Sequence, residues 1–535
     1  VLKKFNIPAP TLCPDCRQQR RLAFRNERKL YKRKCDLSGK EIISIYSPDK
    51  PYKVYGQDEW WSDKWDPMDY GRDFDFGRGF FEQFEKLSYD VPKSSILNKN
   101  LENSYYCGNT SNSKNCYLCF VTTNGLDSYY LHSAVNCTNC MDLFWCYDCI
   151  DCYDCVKTNN SYNCFFCFDS SNCSDCRYII NGDGLKNCYF CNNLKNKQYY
   201  ILNKEYSKEE YNKIINKIDT DLSVFSEYNQ RFEILNKKIP YRFSNIQNSE
   251  NCSGDYITNS NNCLNSFAVD NVDSCKYCYD IDWSRNCYDL YLAGAETVGT
   301  YLELSYEIIN SYRAFCVLFC SSVWEDCKYS FYLDECFNCS NCFGCIGLRN
   351  KKYCILNKQY TKEEYEKLVP KIIEHMKKTG EWGEFFPASI SPFGYNETEA
   401  QERFVLTKEE VIKKGFKWSD YEPPFPKVEK IIPANKLPDN IKDIPDDILN
   451  RAIECEVTKK LFRIIKQELE FYRKHNLPIP KKHPDQRHLD RMNTRNPRKI
   501  YDRKCDKCGT DIKTTYSPDR SEIVYCEGCY NKEFY

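Results

Sequence analysis

From residue 104 to residue 194 every third position is small or aliphatic, and none is charged or aromatic. Cysteine occupies many of them, including Cys107, Cys119, Cys140 and the run Cys146, Cys149, Cys152 and Cys155. A second period, of twelve, is superimposed. Asn103, Asn115, Asp127, Asn139, Asp151, Asn163, Asp175 and Asn187 form one column. Asn112, Asn124, Asn136, Asp148, Asn160 and Asn172 form another, and Tyr105, Tyr117, Tyr129, Met141, Tyr153, Phe165 and Tyr189 a third. Four inward positions per twelve residues predict a tight β-solenoid. Its perimeter of about 40 Å leaves an interior only small side chains can fill. Asn and Asp tolerate the φ > 0 conformations its corners need, and stacked copies can hydrogen-bond along the axis.

The same phase runs from Cys263 to Val323, broken by Glu296, and resumes one residue later at Cys327. Both repeats leave through nearly the same sequence, NKQYYILNKEYSKEEY at 196–211 and NKKYCILNKQYTKEEY at 350–365. Each contains a capping box, Ser207-x-x-Glu210 and Thr361-x-x-Glu364, which predicts a helix closing an otherwise open strand edge. The twelve-residue pattern resembles the solenoid of beetle antifreeze proteins. The resemblance implies architecture only, because the outward positions here are not the Thr-x-Thr that binds ice.

The spacing C-x2-C-x2-C-x2-C at 146–155 is close to that of a ferredoxin iron–sulfur run. These four cysteines share the phase of all the others, so they are expected to pack inside the coil and not to converge on a cluster. Residues facing each other across a coil lie six apart, and few of the cysteines, Cys140/Cys146 and Cys167/Cys173 among them, pair that way, which favours free thiols.

The two ends are copies of one module: residues 4–60 align without a gap to 474–530, with RNERKLYKRKCD at 25–36 matching RNPRKIYDRKCD at 495–506. The later copy carries Cys505-x2-Cys508 and Cys526-x2-Cys529, the spacing of a tetrahedral zinc ribbon. The earlier copy keeps only Cys35 of these and has Ser38, Gly56 and Glu59 in the other places. It has instead Cys13-Pro-Asp-Cys16, a second candidate metal pair, where the later copy reads His483-Pro-Asp-Gln486. No counterpart of the segment Cys455–Tyr472 precedes Val1, so the start of the module is expected to be missing. Beside each ribbon lies a basic stretch. Arg21, Arg25, Arg28 and Arg33, with their copies Arg491, Arg495, Arg498 and Arg503, are candidate phosphate contacts, since arginine suits bidentate phosphate binding. The competing reading is that these arginines pair with acidic residues of the repeats.

CPDCRQQRRLAFRNERKLYKRKCDLSGKEIISIYSPDKPYKVY and the following WWSDKWDPMDYGRDFDFGRGFFEQF resemble an uncharacterised zinc-ribbon, cysteine-rich family of ultra-small candidate-phyla bacteria. The resemblance spans most of the chain but implies no activity. The aromatic stretch 58–86 reads as a plug over the first coil of the first repeat, and Asp73-x-Asp75 as a weak metal motif. Pro423, Pro424 and Pro426 mark extended chain.

The chain has 535 residues, 36 cysteines, five histidines, and 76 basic against 76 acidic residues. No apolar run of membrane-spanning length occurs, and no P-loop, GxGxxG or nucleophile–histidine motif. The expected class is mainly β with helices, and the expected partition is a degenerate ribbon (1–60), an aromatic and acidic linker (61–100), a first solenoid (101–200), a helical cap and connector (201–245), a second solenoid (246–356), a cap (357–380), a Pro-rich linker (381–450) and a zinc-ribbon module (451–535). The expected function is a non-enzymatic, cytoplasmic, zinc-binding scaffold whose basic modules bind nucleic acid, RNA ahead of DNA. The alternative is a protein- or glycan-binding rod using the aromatic columns. Neither a membrane nor a small-molecule substrate is expected.

Overall fold

The computed structural model describes the chain except residues 1, 134–135, 286, 288, 290–300, 312, 426–427, 429 and 535. Ala134, Glu296 and Pro426 therefore lie outside the described residues. The chain is mixed α and β and divides into two compact units, both discontinuous in sequence. One comprises Val1–Asn98, Pro240–Tyr421 and Pro497–Tyr535; the other comprises Lys99–Ile239 and Glu422–Asn496. Among the described residues, no helix is long and apolar enough to cross a membrane.

Each unit is built around a parallel ladder. In the second unit Tyr105, Tyr117, Tyr129, Met141, Tyr153 and Phe165 pair successively, always twelve residues apart, and the register continues through Phe165–Arg177 and Arg177–Tyr189. The rule is a triplet. One residue turns at positive φ, the next points inward, and the third pairs with the neighbouring coil. Asn and Asp hold many of the turns, but Leu118 (φ 53°), Val121 (φ 55°) and Phe166 (φ 57°) take the same conformation. Ladder hydrogen bonds therefore enforce a backbone that these side chains disfavour. The inward cysteines are buried and free. Their thiols reach backbone carbonyls; Cys155 Sγ lies 3.3 Å from Tyr153 O and 3.2 Å from Cys164 O.

The ladder of the first unit is less regular, and each irregularity has a place. Its first step, Ile246 to Ile257, is one residue short. Nearby Gly254 has φ 144°, where a Cβ would run into the Ser266 carbonyl. The slip before Cys327 is absorbed by two consecutive positive-φ residues, Glu325 (φ 53°) and Asp326 (φ 57°), so that Ala314 pairs with Cys327.

Both ladders end as the capping boxes predict. Ser207 and Glu210 open the helix Lys208–Thr220, and Thr361 and Glu364 open Lys362–Lys378. The aromatic stretch covers a different surface from the one expected. Trp60 and Phe80 sit on the ladder of the first unit, with ring centroids 5.6 Å from Phe337 and 5.4 Å from Phe343. Asp73 is held by Lys358 (2.7 Å) and Tyr360 (2.8 Å), and Asp75 lies 3.5 Å from Arg78, so the DxD is absorbed by ion pairs.

The expected aromatic faces are also covered. Tyr129, Met141, Tyr153 and Phe165 are buried against Leu469, Phe471, Tyr472 and Leu477, and only Tyr105, 62% exposed, stands clear at the start of the column. The open face of this ladder is the column Lys114, Leu126, Thr138, Ile150, Tyr162, Ser174 and Lys186. Two amide rails frame it, through contacts such as Asn124 to Asn136 (2.9 Å), Asn136 to Asp148 (2.8 Å) and Asn163 to Asp175 (2.8 Å).

Candidate metal centre and arginine clamps

The hairpin Tyr501–Lys504 with Asp511–Thr514 presents Cys505 and Cys508 on its turn, where Gly509 takes φ 77°. Cys526 and Cys529 come from the start of the helix Glu527–Phe534. The four sulfurs lie within 4.8 Å of one another, close enough to hold one metal ion. The knuckle is shaped for thiolate: the Cys526 amide donates to Cys505 Sγ at 3.2 Å. Hydrogen bonding with the Thr510 hydroxyl helps lower the Cys508 thiol to about 6, and the Cys508 sulfur in turn raises Cys529 to about 12. A bound cation would hold all four as thiolates. The group of metal-ligating side chains that converges among the described residues contains neither Cys13 nor Cys16. Cys13 instead caps the helix Pro14–Leu22, its Sγ accepting the Cys16 amide at 3.4 Å.

The same knuckle occurs three times. Cys35, Cys455 and Cys505 each donate their amide to the carbonyl five residues on, at 2.8, 3.0 and 2.8 Å. Gly39, Lys459 and Gly509 take the positive-φ turn at 72°, 61° and 77°. In the earliest copy the Gly56 amide donates to Cys35 Sγ at 3.2 Å, as Cys526 does to Cys505. No four sulfurs meet there. Glu59 swings in, its carboxyl lowered by the Ser38 hydroxyl, and any Cβ on Gly56 would collide with it. In the copy around Cys455 the corresponding places hold Thr458, His483 and Gln486. The segment before His483 therefore carries a third hairpin with this knuckle, Ala452–Glu454 with Leu461–Phe462, which the pattern of cysteines alone does not disclose.

The arginines expected to contact phosphates do not form an open basic face. The helices end at Leu22 and Asn493, so Arg25, Arg28, Arg495 and Arg498 lie beyond them. Arg21 is fully buried, 3.2 Å from Glu307 and 3.6 Å from Asp289. Arg491 is buried 2.8 Å from Asp142 and 3.0 Å from Asp154. Arg25 is buried against Glu27, and the charge of Arg28 is felt by Glu399. Arg495 lies over the Phe144 ring and Arg498 over the Tyr279 ring, at 5.0 and 4.8 Å. Arg33 and Arg503 brace equivalent turns, donating to Ser47 O and Ser517 O at 3.3 and 3.4 Å and pairing with Asp36 and Asp506 at 3.1 and 3.0 Å.

Two further arginines complete the clamps. Arg17 lies 2.6 Å from Asp289, and Arg487 lies 2.5 Å from Asp142 and 3.6 Å from Glu468. Their carboxylate partners occupy positive-φ turns of adjacent coils: Asp142 and Asp154 in one ladder, Asp289 and Glu307 in the other. Ser284 pairs with Leu302 across the long step of the first unit's ladder, the same separation as Asp289 to Glu307. One helix motif thus reads two stacked carboxylates in both units. Burial pushes the Asp154 and Glu307 carboxyls up, and the facing arginines oppose that push. The sequence signal for Arg17 and Arg487 is their retention at matching places in both copies; their acidic partners, hundreds of residues away, carry no local signal.

No protein-family model, no curated protein and no solved structure matches this chain.

Proposed function

We propose that the chain is a non-enzymatic scaffold in which two small-bore β-solenoids are fastened by ribbon modules, one of which holds structural zinc. Four thiols at ribbon spacing favour zinc over harder ions. The solenoid reading rests on the twelve-residue parallel register and the inward file of small residues. The observation that carries the proposal is the clamp: in each unit the basic helix spends its arginines on ladder carboxylates. Such groups fasten modules to rods, and a phosphate would have to displace those carboxylates to reach them. Partner binding then belongs to the open column Leu126, Ile150 and Tyr162, which are 37%, 43% and 52% exposed. Its amide rails offer regularly spaced hydrogen-bonding groups to a protein or glycan partner.

The test is to recover partners from the intact protein at low and at high salt and to repeat the recovery with Ile150→Lys/Tyr162→Lys. The proposal predicts a salt-resistant partner that this double variant loses. Recovery of nucleic acid with affinity falling steeply as salt rises, unchanged by the double variant, would overturn it and restore the basic-module reading.

A further inference from the structure

Residues 431–451 of the second unit line an open pocket of about 390 Å³, within the size range of small-molecule sites. Its floor is aliphatic: Leu437, Ile444 and Ile448 are buried beneath it. Its walls include Pro433, Pro438 and Pro445. Proline fixes φ, so these walls resist collapse by backbone rotation and the cavity is formed before anything enters it.

Two cations border the cavity, and they differ. Arg451 Nε lies 2.6 Å from Asp447 Oδ2, so its charge is answered. Lys436 is exposed and, among the described residues, has no carboxylate within ion-pair distance. An aliphatic floor with one unanswered ammonium at its edge is complementary to a ligand with an aliphatic body and a single negative group.

We propose that this cavity binds a small amphiphilic monocarboxylate, its hydrocarbon body on Leu437, Ile444 and Ile448 and its carboxylate against Lys436. A phosphomonoester would bring a second charge, and among the described residues Lys436 is the one lining cation without a carboxylate partner. A neutral alcohol would leave Lys436 unanswered.

The experiment is calorimetric titration of the intact protein with octanoate, with octan-1-ol as the neutral control. The proposal predicts saturable one-site binding with Kd below about 1 mM. Octanol should bind at least tenfold more weakly, and Lys436→Glu should weaken octanoate at least tenfold while leaving octanol unchanged. Ile431→Trp, at the exposed rim, should block both ligands without moving the unfolding midpoint. Absence of saturable octanoate binding to the wild type would overturn the proposal, as would octanoate binding that Lys436→Glu leaves intact.

Discussion

The two end modules share their knuckle hydrogen bonds, their arginine clamp and the brace on the YSPD turn, yet only one brings four thiols together. Residues 35–59 keep the knuckle with Ser38, Gly56 and Glu59, while residues 505–529 keep it with cysteines. Metal ligands were thus exchangeable and the clamp was not. In one copy a hydrogen-bonded carboxylate stands where the other brings its thiols together, whereas Arg17/Arg21 and Arg487/Arg491 remain opposite paired carboxylates in both. Breaking a buried ion pair leaves a charge in low dielectric and costs about 3–5 kcal/mol.

The largest effect expected is therefore common to both halves. Arg21→Glu sets a third carboxylate against Asp289 and Glu307, and Arg491→Glu does the same beside Asp142 and Asp154. Each should cost at least about 3–5 kcal/mol in denaturant unfolding, enough to unfold its unit. If the arginines served only phosphates, both variants would unfold like the wild type.

Metal removal should separate the halves. The intact protein should carry one zinc per chain by elemental analysis, lost in Cys505→Ala/Cys526→Ala. Chelation should expose the amides of residues 501–530 to hydrogen exchange and leave those of 31–60 protected, because only the later ribbon draws folding free energy from metal. Conversely, Ser38→Cys/Gly56→Cys/Glu59→Cys removes the carboxylate that blocks a Cβ at position 56. That triple variant should raise the stoichiometry to two, and a stoichiometry of one would show that the copies differ by more than their ligands.

A smaller difference concerns pH. Tyr46, in the YSPD turn of the earlier copy, donates to buried Glu335 at 3.0 Å, and burial raises Glu335 from 4.5 to about 7. Its copy Tyr516 packs instead on Tyr241. A raised folded-state value means this contribution is fully present below about pH 4.5 and lost as pH rises through about 7. Glu335→Gln should flatten that part of the stability profile, by an amount on the order of 3 kcal/mol, without altering zinc content. The smallest effect expected is Cys152→Ala, at about 1 kcal/mol, because that thiol only packs; Cys152→Arg at the same place should unfold the second unit.

How far the sequence disclosed this follows from the range of each interaction. The twelve-residue step was legible because inward positions recur locally, and the two capping boxes because four residues specify each. The turn at Val121 was not legible, since a β-branched residue argues against positive φ until the ladder on both sides imposes it. The four-thiol centre was legible from its spacing, whereas the hairpin at Cys455 was obscured because Thr458, His483 and Gln486 fill its ligand places. The clamps were legible only as one of two readings of the arginines. Asp142 and Asp289 look like any other acidic turn residue until a helix from a distant part of the chain is laid across them. The aromatic columns misled for the same reason, their cover being supplied by residues 469–477.

The account stands on those clamps, and a double-mutant cycle on Arg491 and Asp142 tests it most directly. Arg491→Met, Asp142→Asn and the pair together would be compared by equilibrium unfolding of the intact protein. Each single change should cost about 3–5 kcal/mol. The double should cost no more than the worse single, which is a coupling of at least about 3 kcal/mol. Additive losses, with no coupling between the two side chains, would contradict the account.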